Sequence, residues 1–211
     1  MPLAAARNAG ARRALEGGAD ILIFLDVDCV PGAGLVERYA AAAESSIGKD
    51  SLLCGTVAYL PPPPPSGYQL SELPGLAPPH PGRPVPPKDG NIQGGDHRLF
   101  WSLSFAVTAH TWHKIGGFHE GYSGYGAEDT DFAQTAATAG IDLCWLGGAP
   151  AFHQHHATSR PPIEHLEDIL RNGALFRQRW GTWPMEGWLH EFARLGLVDH
   201  DPTTDTWSRV P

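Results

Sequence analysis

Five consecutive apolar residues, Ile21-Leu22-Ile23-Phe24-Leu25, run directly into Asp26-Val27-Asp28-Cys29-Val30 and stop at Pro31-Gly32. A continuous apolar run of strand length suits a central strand covered on both faces, as in an α/β sheet. The carboxyl ends of such strands are where open α/β sheets bind their ligands. Two carboxylates one residue apart at that bend can hold a divalent cation while touching a sugar or phosphate. Mn²⁺ or Mg²⁺ takes such oxygen ligands and shares them with a diphosphate.

The elements on either side agree with that fold class. Ala4 to Glu16 is Ala-rich and ends at Gly17-Gly18, the pattern of a helix with a glycine stop. Leu35 to Ser45 predicts a second helix and Leu52 to Leu60 a second strand. Such alternation of helix and strand indicates an α/β sheet. Further on, Leu103 to Thr108 and Leu143 to Leu146 predict strands, and Ala109 to Ile115 and Glu128 to Ala139 helices. Residues 61–95 are rich in Pro and Gly, with five prolines in a row, and form a long loop inside the first of two expected regions. That region spans residues 1–160. A helical carboxyl-terminal extension, 161–211, follows, with an apolar face on Ile163, Leu166, Ile169, Leu170 and Leu175 and a second helix from Pro184 to Gly196. Arg171, Arg177 and Arg179 lie on the first tail helix; packing is its simplest role, contact with an acceptor the alternative.

Charge narrows the partners. With 23 acidic and 15 basic residues the formal net charge is −8, which argues against a nucleic-acid binder, since such affinity comes from clustered Lys and Arg. An acidic protein that receives an anionic substrate needs a cation to offset repulsion. The three cysteines, Cys29, Cys54 and Cys144, are far apart and odd in number, as expected of reduced thiols. The start lacks the basic-then-apolar pattern of a secretory signal, and Ile21 to Leu25 is far too short to span a bilayer. A cytoplasmic protein is expected, with peripheral contact at the inner face of a membrane left open.

Two further clusters carry chemistry. Gly116-Gly117-Phe118-His119-Glu120 and Gly124-Tyr125-Gly126-Ala127-Glu128-Asp129-Thr130-Asp131 form a glycine loop that leads into a helix. The glycines permit close approach of the backbone to a ligand. Glu128 and Asp129 fall in the first turn, where the helix dipole favours the ionised carboxylate that a general base requires. Phe152-His153-Gln154-His155-His156 follows a strand and offers imidazoles to a divalent ion; a solvated surface cluster is the other explanation of three histidines in four positions.

The order of these elements, strand with Asp-x-Asp, glycine loop with Glu-Asp helix, strand with His, resembles inverting glycosyltransferases of family 2. It is also similar to the carboxyl-terminal galactosyltransferase-like domain of animal beta-1,4-galactosyltransferases. The resemblance runs from Asn8-Ala9-Gly10 to about His156, through Ser102 to Val107, and implies a GT-A-like, Rossmann-like mixed sheet flanked by helices. It implies Asp28 as main carboxylate on Mn²⁺ (or Mg²⁺), Asp26 facing the donor ribose or the metal, and His153 as imidazole ligand with His155 in reserve. Asn8 belongs to the donor-binding side. Asp129 becomes the catalytic base, and Glu128 orients the acceptor hydroxyl. Tyr125, where galactosyltransferases carry Trp, offers a stacking face to the acceptor beside Gly126; Trp101 is a weaker candidate. Ala127 departs from the family, which has Gly there. Only a short helix precedes the Asp-x-Asp strand, so the domain reads as amino-terminally truncated.

The implied reaction moves a sugar, with inversion, from a UDP-linked donor to a hydroxyl on a glycan, lipid or small molecule. Two rivals use the same residues. A haloacid-dehalogenase-type phosphatase has an Asp nucleophile and an Asp acid two residues apart at a strand end, which would be Asp26 and Asp28 with Lys114 as the positioned lysine. A sugar-binding remnant without activity is the other.

Overall fold

The structure is a computed structural model and describes residues 2–210; positions 1 and 211, the outer ends of the two expected regions, lie outside the described residues. The first helix, α1 (Leu3–Glu16), is followed by β1 (Ile21–Leu25), β2 (Cys29–Pro31) and α2 (Leu35–Glu44). Then come β3 (Ser51–Cys54), β4 (Val57–Tyr59), a single helical turn α3 (Leu73–Leu76) and β5 (Asn91–Ile92). The middle of the chain supplies β6 (Ser104–Thr108), α4 (Ala109–Ile115), α5 (Glu128–Thr138), β7 (Asp142–Leu146) and β8 (Ala151–His153). The tail forms α6 (Leu166–Trp180), α7 (Glu186–Arg194), β9 (Val198–Asp201) and β10 (Thr206–Arg209).

The fold is mixed α/β, with a mixed sheet flanked by helices. The chain divides into two compact units, and neither is one continuous stretch. The larger comprises residues 9–117 and 132–156; the smaller comprises 2–8, 118–131 and 157–210. Residues 118–131 thus fall in the same unit as the tail.

In the larger unit a five-stranded sheet has the order β1-β6-β3-β7-β5, with β3 and β7 parallel and the other pairs antiparallel. Helix α2 packs on β1, β3 and β6, and α4 on β6. The apolar run Ile21–Leu25 is not a central strand as its composition suggested. It is the outermost strand of this sheet among the described residues, and only Leu22 in it is fully buried. The central position goes to β6 and β3, whose residues are almost all buried. The apolar character of β1 is used instead by an aromatic layer. Phe24 stacks on Phe105 at 4.4 Å and on Trp112 at 5.2 Å, and Phe132 joins Phe105 and Trp112 at 5.7 and 5.8 Å. Burial of each such ring is worth roughly 1.5–3 kcal/mol.

The single strand expected over Leu52 to Leu60 is two strands in two sheets. The chain turns at Gly55, where a Cβ would lie 2.0 Å from the Ala149 carbonyl oxygen. The hydroxyl of fully buried Tyr39 accepts the Gly55 N–H at 2.7 Å and shares a hydrogen bond with Ser104 Oγ. After the turn β4 joins a three-stranded sheet of order β2-β8-β4. All three cysteines are free and buried.

The smaller unit is built on α6 and α7, which enclose Leu166, Ile169, Leu189, Phe192 and Val198. Its tail is not wholly helical: β9 and β10 form an antiparallel hairpin. Asp201 closes the turn by accepting from the Thr203 N–H and the Thr204 hydroxyl, an Asx-type device that polar turn residues favour. Among the described residues no helix is long and apolar enough to cross a membrane.

Candidate active site

The aspartate pair lies in a tight turn between β1 and β2. The Asp26 carbonyl accepts the Cys29 N–H at 2.9 Å, and the Asp26 N–H is held on the Leu103 carbonyl. Val27, at the tip, is fully exposed, so Asp26 and Asp28 flank the apex. The chain then enters β2, whose partner is β8 in the register Cys29↔His153. The Gln154 N–H donates to the Asp28 carbonyl at 2.8 Å and fixes that register one step further. Backbone pairing therefore delivers the imidazole of His153 to the carboxylate of Asp28.

Asp28 Oδ2 lies 3.3 Å from His153 Nε2 and 3.9 Å from His156 Nε2. Among the described residues these three form the group that could hold a metal ion, with ligand atoms all within 4.8 Å of one another. Ligands about 2.1 Å from an octahedral ion stand roughly 3–4.2 Å apart. Both measured separations fall in that range. One carboxylate and two imidazoles suit a divalent transition ion better than Ca²⁺, which takes oxygen ligands. His155 is outside the group: it is exposed, and its N–H donates to the Tyr68 hydroxyl. Asp26 stays at the turn, half-buried, without joining the three.

The walls of this site are aromatic. Tyr59 lies 4.6 Å from the His153 ring and 5.6 Å from His80, which meets Trp101 edge-on at 5.0 Å. Trp101 is covered by the Arg83 guanidinium at 4.1 Å and packs against the main core. The Pro-rich loop, which carries Tyr68 and His80, thus touches the histidine segment. Burial and the neighbouring Asp28 and Asp26 push the Cys29 thiol up to about 12, so it stays a neutral packing group. Lys114 pairs with Asp50 at 3.0 Å, a carboxylate other than the two that a phosphatase would need.

In the smaller unit the glycine loop runs into α5. Glu128 is only 6% exposed and pairs with Arg7 at 3.2 Å. Burial, and secondarily the charge of Asp129, pushes the Glu128 carboxyl up to about 7, against the pull of Arg7. Asp129 is half-buried and accepts from the Thr130 N–H at 2.7 Å. Asp131, 1% exposed, accepts from the Tyr122 hydroxyl at 3.0 Å and from Arg179 Nε and Trp180 Nε1, each at 2.7 Å. Ala127 holds a left-handed backbone, φ 73°, a conformation that favours glycine. The side chain of Asn8 is committed to this loop: it donates to the Phe118 carbonyl and to Glu120 and accepts the Phe118 N–H, each at 2.8 Å.

Tyr125 is exposed, and its backbone and that of Gly126 are gripped by the tail helix α6. Asn172 donates to the carbonyls of Tyr125 and Gly126, and Asp168 accepts the Tyr125 N–H. The three tail arginines are spent on ion pairs: Arg171 with Asp168, Arg177 with Asp205 and Arg179 with Asp131. Sequence reasoning left His156 without a role and did not single out Arg7, Asp168 or Asn172. The spacing of four between Asp168 and Asn172 puts both on one helix face, but what that face meets is not written locally.

Residues 96–159 match a family model described as the N-terminal domain of galactosyltransferase. That span contains Glu128, Asp129, His153 and His156; the description names an amino-terminal domain where the sequence suggested a carboxyl-terminal one. No curated protein matches the sequence. Among solved structures, the chain is similar to a crystal structure of GalNAc-T7 with UDP, GalNAc and Mn²⁺, at 13% identity and a TM-score of 0.48. The similarity covers 91% of this chain and 43% of that chain, so the chain spans less than half of that protein.

Proposed function

We propose that this chain carries the catalytic portion of a metal-dependent GT-A glycosyltransferase that moves a sugar, with inversion, from a UDP-linked donor to a hydroxyl acceptor. The observation that carries the proposal is the meeting of Asp28, His153 and His156 at the Asp-x-Asp turn. The match of residues 96–159 to a galactosyltransferase family supports it.

Asp28, His153 and His156 would hold Mn²⁺ (or Mg²⁺), with Asp26 toward the donor. The bound ion supplies positive charge against the diphosphate that leaves. Asp129 takes the proton of the acceptor hydroxyl as it attacks the anomeric carbon, a role commonly worth roughly 10²–10⁴-fold. Glu128 orients that hydroxyl, and Arg7 steadies its carboxylate. Attack from the face opposite the diphosphate inverts the anomeric centre.

The test is release of UDP from a panel of UDP-sugars, with and without Mn²⁺, on the wild type and on Asp129→Asn. Mn²⁺-dependent release that Asp129→Asn abolishes, with Mn²⁺ binding kept, is the expected outcome. Release of phosphate from p-nitrophenyl phosphate without any UDP release would replace sugar transfer by the phosphatase reading.

A further inference from the structure

Helix α6 devotes an unusual amount of polar chemistry to three residues of loop backbone, Ser123, Tyr125 and Gly126. Asn172, 1% exposed, donates from Nδ2 to the carbonyls of Ser123, Tyr125 and Gly126 at 3.0, 3.1 and 3.0 Å, and its Oδ1 accepts the Ser123 N–H at 3.3 Å. Asp168 accepts the Tyr125 N–H at 3.0 Å and is itself held by Arg171, which also donates to the Ser123 carbonyl. A buried amide costs desolvation unless its groups are satisfied. Here they are satisfied by main chain, so the loop is fixed by the helix instead of by its own sequence, which is rich in glycine.

What this grip presents is the Tyr125 ring. His165 lies parallel to it at 4.3 Å, with an interplanar angle of 9°, and Trp188 stands 6.0 Å away, tilted by 32°. Despite these neighbours the residue remains 37% exposed. A ring with an immobile backbone, a stacked partner and remaining exposure loses little entropy when a ligand covers it. The apolar C–H face of a pyranose fits such a surface, with the nearby carboxylate of Asp168 and the guanidinium of Arg171 as polar edges.

We propose that His165, Asp168 and Asn172 are positioning residues that make Tyr125 a rigid aromatic platform for the pyranose ring of the acceptor. The assignment rests on the reading of Tyr125 as an acceptor contact. It makes the tail helix a determinant of acceptor choice.

The full chain is titrated with methyl β-D-glucopyranoside, methyl β-D-galactopyranoside and methyl N-acetyl-β-D-glucosaminide, followed by saturation-transfer NMR and tryptophan fluorescence. The wild type is expected to bind at least one of them. His165→Ala weakens that binding roughly three- to tenfold, the range expected for loss of an aromatic pair, and His165→Phe restores it. Binding of none of the three, or equal binding by His165→Ala, overturns the platform; so does a His165→Phe variant as weak as His165→Ala. Glycoside binding without UDP release from UDP-sugars would remove the sugar-transfer reading and leave the platform standing. UDP release with no glycoside binding would do the reverse.

Discussion

His153 Nε2 lies 3.3 Å from Asp28 Oδ2 because His153 is the strand partner of Cys29, the residue that follows Asp28. The contact is fixed by sheet register, and a register is hard to slip because one step turns every side chain to the other face. Removal of either group should therefore weaken the cation without reshaping the turn. His153→Ala or Asp28→Asn is expected to lower Mn²⁺ affinity at least roughly tenfold, the smallest loss usual even for residues that merely support a ligand. His156→Ala should act in the same direction and His155→Ala should not. Titration of Mn²⁺ by electron paramagnetic resonance distinguishes them, and a larger loss from His155→Ala would sink the geometry.

Glu128 makes the stability of the protein depend on pH. Its carboxyl is raised from 4.5 to about 7, first by burial. Between those values the folded state binds more protons than the unfolded one, so stability is greatest below about 4.5 and falls as pH rises to about 7, then levels off. The shift corresponds to at most ~3 kcal/mol. Urea unfolding at pH 5 and pH 8 should show the loss in the wild type and a smaller one in Glu128→Gln. Arg7→Met, which removes the guanidinium 3.2 Å from Glu128, should move the midpoint of the change upward.

Asp131 is the most committed carboxylate of the smaller unit, with three donors on one oxygen. Asp131→Ala leaves the Tyr122 hydroxyl and the Trp180 N–H without that acceptor, and strands Arg179. Breaking a buried ion pair costs about 3–5 kcal/mol. The lower end is expected, because the Arg179 side chain is 32% exposed and can reach water. Tyr122→Phe should cost about 1 kcal/mol. Equal unfolding midpoints for wild type and Asp131→Ala would show that the network contributes nothing net.

Gly124 tests the grip of the tail on the loop. Its backbone is left-handed, φ 78°, and a Cβ there would lie 2.0 Å from Asp168 Oδ2. Gly124→Ala combines a conformational cost of roughly 1–2 kcal/mol with displacement of Asp168. A lowered melting temperature is expected. Gly187→Ala, in open space on α7, should be neutral or stabilising and serves as the control.

Much of the larger unit is legible in the residues. Strand β1 and helix α4 fall where apolar runs and glycine stops place them, Ile21–Leu25 and Ala109–Ile115. The break at Gly55 was not legible, since what forbids a side chain there is Ala149, nearly a hundred residues away. The hairpin at the tail is legible in Asp201-Pro202-Thr203-Thr204-Asp205, a turn in composition.

The sequence by itself determined the chemistry on offer: paired aspartates after an apolar strand, a glycine loop leading to Glu128 and Asp129, and a histidine cluster after a strand. It did so because residue type and local spacing are properties of short segments. Only tertiary structure decided which groups meet. Sheet register brought His153 to Asp28, with His156 beside it, burial raised the Glu128 carboxyl against the pull of Arg7, and α6 took hold of Tyr125. Each is a contact between segments distant along the chain, and pairing across such distances is written in packing, which no local pattern records.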